Sequence, residues 1–140
     1  MAYQHILVAV DLSDESEMLI QHAAALAKPL NAKLSLIHID VNYAELYTGF
    51  IDINLAETQH KVAEEALEQL NNFTSKIDYP IHKTLLSSGD FSHEVCAAIK
   101  EYSIDLVVCG HHQDFWSKLL STSRQLIDCS TTHLLVVPFK

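Results

Sequence analysis

Residues 106–109 (Leu-Val-Val-Cys) form an unbroken apolar run that begins after Asp105 and meets a turn signal at Gly110. Four consecutive apolar residues with no polar alternation suit a strand buried on both faces, as in a parallel sheet. Such a strand needs helices on both sides of its sheet, held by long crossover connections. The residues after Gly110 would lie beyond the strand's carboxyl end. In open α/β sheets, ligands bind there, at the point where strand order reverses.

The rest of the chain supplies the required elements. Residues 4–10 read as a first apolar strand, ended by Asp11. Ser13 then offers an N-cap hydroxyl, and Asp14 and Glu15 place acids where a helix dipole favours them. Met18, Leu19, Ala23, Leu26 and Ala27 recur at helical spacing, with Pro29 expected to stop the helix. Residues 33–39 alternate as a second strand, so the first forty residues make a βαβ unit with a right-handed crossover. The segment 40–54, with Tyr43, Tyr47, Phe50 and Ile53 around Gly49, is expected to be a loop with a short helical piece.

Residues 55–73 carry Val62, Ala63, Ala66, Leu67 and Leu70 on one side of a helix. Pro80 leads into a third strand over 81–86, and Gly89-Asp90 reads as a turn. Val95, Ala98, Ile99 and Tyr102 place a helix over 91–102. A fourth strand over 105–109, a last helix over 121–129 with Leu126 and Ile127 on its apolar side, and a fifth strand over 133–139 complete the chain. Five strands alternating with four helical stretches predict a three-layer α/β sandwich. No internal repeat or linker interrupts residues 1–140, so a single domain is expected.

Charge narrows the partners. The 140 residues carry 18 acidic and 9 basic side chains, a formal net charge of −9. Neutralising phosphates takes clustered Lys and Arg, so a nucleic-acid or anionic-membrane surface is not expected. No apolar run approaches the roughly 20 residues needed to span a bilayer. The start, MAYQHILVAVD, has no basic region or long apolar stretch of the secretory type. Cys96, Cys109 and Cys129 are odd in number and share no short spacing, which predicts reduced thiols in a cytoplasmic protein.

Candidate chemistry lies past strands one and four. If those strands are neighbours, Asp11 and Gly110 face one crevice. An acid there could bind a ribose or a base, or could simply cap the following turn. Cys109, His111 and His112 invite a metal reading. A structural zinc site needs four convergent ligands, no second cluster is evident, and adjacent His side chains on an extended chain point apart. No metal or other cofactor is therefore expected. Ser87-Ser88-Gly89 and Ser121-Thr122-Ser123 offer hydroxyls, but neither is a G-x-S-x-G nucleophile elbow. A response-regulator reading would make Asp11 a phospho-acceptor, yet Ser87-Ser88 stands where its strand-three carboxylate would be.

Three segments, 1–13 (MAYQHILVAVDLS), 35–43 (SLIHIDVNY) and 105–119 (DLVVCGHHQDFWSKL), resemble the universal stress protein family, and the resemblance covers nearly the whole chain. It implies a five-stranded parallel sheet in order 3-2-1-4-5 with four flanking helices. It also implies a cytoplasmic homodimer without enzymatic turnover that supports resistance to DNA-damaging agents and other stress. The ATP-binding branch of the family carries G-x2-G-x9-G-[ST] after strand four. Glycines there let the backbone approach the phosphates, and a helix N-terminus directs N–H groups at them.

Gly110 matches the first glycine, but the second falls on Gln113. The third falls on Ser123 counting forward, or on Leu120 counting back from the last strand. Asp114, Phe115 and Trp116 add a carboxylate and two large rings where a triphosphate would lie. The expectation is the branch that does not bind ATP, with Asp11, Gly110, Gln113, Leu120, Ser121 and Ser123 as a vestigial nucleotide pocket. Two rivals remain: a nucleotide-binding switch using the hydroxyls of 121–123, and a signalling protein phosphorylated on Ser or Thr.

The fifth strand supplies the expected dimer interface through His133, Leu134, Leu135, Val136, Val137, Pro138 and Phe139. In the order 3-2-1-4-5 it lies at an edge, and a uniformly apolar edge invites pairing with another chain. No further protein partner is named by the sequence.

Overall fold

The computed structural model of the chain describes residues 3–10, 15–40, 55–88, 91–111 and 132–138. In chain order the elements are β1 (His5–Val10), α1 (Glu15–Leu30), β2 (Lys33–Asp40), α2 (Leu55–Thr74), β3 (Lys83–Ser88), α3 (Phe91–Tyr102), β4 (Leu106–His111) and β5 (His133–Pro138). The five strands form one parallel sheet in the order β3-β2-β1-β4-β5. β1 is central, and all six of its residues are buried.

The two-residue period of the strands separates the faces. Ile6, Val8 and Val10 join Leu34, Leu36, Leu106 and Val108 on one face, against Leu19, Ile20, Ala23 and Ala27 of α1 and Leu70 of α2. Leu7, Ala9, Ile37, Val107 and Cys109 point to the other, against Val95, Ala98 and Ile99 of α3. The sheet is thus covered on both sides, giving the three layers expected of strands without polar alternation. Among the described residues no helix is long and apolar enough to cross a membrane.

Several boundaries differ from the sequence reading for physical reasons. Pro29 does not stop α1; it lies inside the last turn. The stop comes from Asn31, whose φ of 53° is left-handed, with Ala32 N–H donating to Ala27 O and Asn31 N–H to Lys28 O. Ser103 (φ 55°) ends α3 similarly, with Ile104 N–H returning to Ile99 O. β3 starts at Lys83 rather than residue 81, because its ladder opens with the pair Ser35–Lys83. β4 does not stop at Gly110, since Gly110 pairs with Val137 and His111 with Pro138.

Four helices were expected, and three stand among the described residues. The fourth, over 121–129, lies outside them, as do residues 41–54 and the turn at Gly89-Asp90.

The expectation of three reduced thiols is corrected at Cys96, which is disulfide-bonded. Apolar pattern alone places thiols in the interior; which of them meet is a tertiary matter. Cys109 is free and buried, and burial pushes its thiol up to about 11.

Ile6→Ala should cost about 2–5 kcal/mol, read as a lower urea midpoint, because Ile6 is wholly buried on the central strand. Cys109 should react far more slowly with iodoacetamide in native protein than in urea, since only the thiolate attacks. Equal rates would contradict the burial of Cys109.

Candidate functional site

β1 pairs with β2 on one side and with β4 on the other. The chain winds outward from β1 to β3, then crosses back to continue through β4 and β5. The β1/β4 boundary is therefore the switch point, and in open α/β sheets ligands bind beyond the carboxyl ends of the strands at such a point. The shared ladder ends at the pair Ala9–Cys109, so Val10 and Gly110 are the next residues along the two strands. Gly110 lacks a side chain, so no Cβ hinders close approach to its backbone. It is half-buried and lies within β4 rather than after it.

Of the predicted pocket residues the structure describes Gly110 alone. Asp11, Gln113, Leu120, Ser121 and Ser123 lie outside the described residues. Among the described residues no group of three or more His, Cys, Asp or Glu is placed to hold a metal.

The sequence reading missed His38. It lies opposite Val10 in the β1–β2 register and is buried. Its Nδ1–H donates to the Val10 carbonyl at 2.9 Å, so the ring caps the last carbonyl of β1. A signal was available: within residues 33–39, His38 takes the same parity as the core residues Leu34 and Leu36.

A second polar cluster, also missed, occupies the opposite end of the sheet. The Asp105 carboxylate accepts Gln4 N–H at 2.8 Å and His5 N–H at 3.1 Å, clamping the start of β1 to the segment before β4. His5 is buried, and its Nδ1–H donates to the Tyr102 carbonyl at the end of α3 at 3.0 Å. Its Nε2 accepts the hydroxyl of buried Ser35 on β2 at 2.7 Å. The tautomer follows from the partners, because a carbonyl can only accept.

The His82 ring stands edge-on to His5 at 5.4 Å, and the Lys83 ammonium lies 5.1 Å from the centre of the Tyr102 ring. Nearby, Tyr3 Oη and His133 Nδ1 are hydrogen-bonded at 2.8 Å. Burial is the main cause of a lowered His5 pKa; His82 and Lys33 push the same way, while the Tyr102 carbonyl and Asp105 oppose it.

Comparison with known proteins fits this fold. The family model described as "Universal stress protein family" matches residues 2–138. The chain is 54% identical to universal stress protein A of Yersinia pestis over 140 residues, covering 100% of this chain and 95% of that protein. Universal stress protein UspA from Lactobacillus plantarum superposes with a TM-score of 0.70 at 23% identity, covering 98% of this chain and 99% of that one. The universal stress protein from Archaeoglobus fulgidus in complex with dAMP superposes with a TM-score of 0.64 at 19% identity, covering 98% and 99%. With its sheet order and a match over nearly its full length, this chain belongs to the universal stress protein family.

Proposed function

We propose that this chain is a cytoplasmic stress-response protein that acts as a homodimer, without catalytic turnover and without binding ATP. Its role would be to support survival under stress, including resistance to DNA-damaging agents. The single observation that carries the dimer is the contrast between the two sheet edges. β3 is blunted by Lys83, Thr84, Ser87 and Ser88, whereas β5 is apolar from Leu134 to Val137. Leu135 is 42% exposed there, a large apolar side chain left on an open edge. Charged and polar residues are the usual protection of an edge, and β5 has none between His133 and Pro138. Two copies of β5 related by a two-fold axis would pair antiparallel and cover both edges at once.

The absence of ATP binding is supported by Gln113 and by the missing third glycine at Leu120 or Ser123. A second reading has a specific observation behind it. The Archaeoglobus neighbour was solved with dAMP, and Gly110 carries no side chain beside the switch point. A nucleotide-binding switch with a variant loop is therefore the rival to test.

Calorimetric titration should show no saturable heat with millimolar ATP, and Gln113→Gly alone should not restore it. A micromolar dissociation constant for the parent protein would favour the rival reading. Sedimentation equilibrium should find a dimer at micromolar concentration. Leu135→Lys should weaken it about tenfold or more by placing a charge on the apolar edge. A monomeric parent protein would remove the β5 interface.

A further inference from the structure

We propose that the amino-terminal end of the sheet is a proton-operated latch: with His5 neutral it laces β1, β2, α3 and β4 together, and with His5 protonated this end opens while the centre of the sheet stays closed. His5 contacts three other elements from one side chain and one backbone amide. Its ring joins Ser35 of β2 to the last residue of α3, and its N–H rests on the Asp105 carboxylate ahead of β4. Backbone bonds close the same end: Lys33 N–H to Gln4 O at 2.8 Å, Asp105 N–H to His5 O at 3.1 Å and His82 N–H to Leu34 O at 2.7 Å.

A second proton on the ring would enter at Nε2, where the Ser35 hydroxyl now donates. Ser35 could turn its oxygen toward the new N–H, but its own hydrogen would then lose the acceptor that Nε2 provides. Ser35 is only 1% exposed, so water cannot replace that acceptor without an opening. The Tyr3–His133 pair offers the contrast. His133 is exposed, and the Tyr3 hydroxyl can donate to the ring or accept from it, so that contact tolerates either charge state.

The charges facing His5 add to the effect. His82, from the segment before β3, and Lys33, from β2, both disfavour a cation; Asp105, ahead of β4, favours one but is already engaged with two backbone amides. Tyr102 contributes its carbonyl from α3, which accepts from either charge state.

The direction of linkage follows. His5 has a lower pKa in the closed state than in the open one, so the open state binds more protons as pH falls below the ordinary histidine value. The stability that this end owes to neutral His5 is fully present above that value. It is lost as pH falls toward the lowered one.

Amide hydrogen exchange read as protection factors, with intrinsic pH dependence removed, tests the latch on the wild-type protein. Between about pH 7.5 and about pH 5.5, protection at Lys33, His82 and Asp105 should fall at least about threefold, while Val8 and Val108 hold theirs. No fall at the first group, or an equal fall across the sheet, overturns the latch.

His82→Glu, at an exposed position, places a carboxylate beside His5. The His5 ring resonance should then titrate at higher pH by NMR, and the loss of protection should shrink. A His5 titration that does not move, or one already at the ordinary value in the wild type, overturns the proposal as well.

Discussion

The structure depends on the complete burial of β1 between two parallel neighbours. A strand with no water on either face must satisfy its backbone through both adjacent strands and its side chains through two separate helical layers. β2 meets the first demand from His5 to Val10 and β4 from Ile6 to Ala9. α1 and α2 on one face, and α3 on the other, meet the second. Parallel pairing then forces the connections to cross over the sheet, which separates its two ends chemically. All carboxyl ends gather at one side and all amino ends at the other.

Both ends of the central pair are finished by a histidine, but in different ways. At the carboxyl end, His38 caps the Val10 carbonyl, the last of β1. At the amino end, His5 works with Ser35, Tyr102 and Asp105 as a polar network that runs from the buried ring to the sheet margin. Networks of this kind are stable only when every member is satisfied, so a change of one proton has consequences beyond the ring itself. The carboxyl end is where ligands meet this fold; the amino end is where its strands are gathered.

The edges carry a third distinction. β3 and β5 both leave one side of their ladder open within the sheet order. Polar side chains on β3 let water serve that side, while β5 is apolar from Leu134 to Val137 and lacks that protection. The acidic charge of −9 keeps the remaining surface repulsive between copies.

The sequence by itself determined the elements; of the pocket residues it suggested, Gly110 alone lies among the described residues. Period-two and helical spacing are local properties, and they placed α3 over residues 91–102 as found, with the other bounds near their observed positions. The broken glycine pattern at Gln113 and the apolar run of residues 134–137 are likewise legible without coordinates. Sheet order reached the sequence reading only through the family resemblance, because no local pattern states which strand lies beside which. Tertiary structure alone decided that β4 continues through Gly110, since the ladder with β5 holds it there. It also decided that Cys96 is bonded while Cys109 is free. The histidine networks lay out of reach for the same reason. His5 and Ser35 are 30 residues apart, and Gln4 and Asp105 are 101 apart. Local periodicity sets which way a side chain points; its partner is set by the long-range packing that brings distant segments within hydrogen-bond reach.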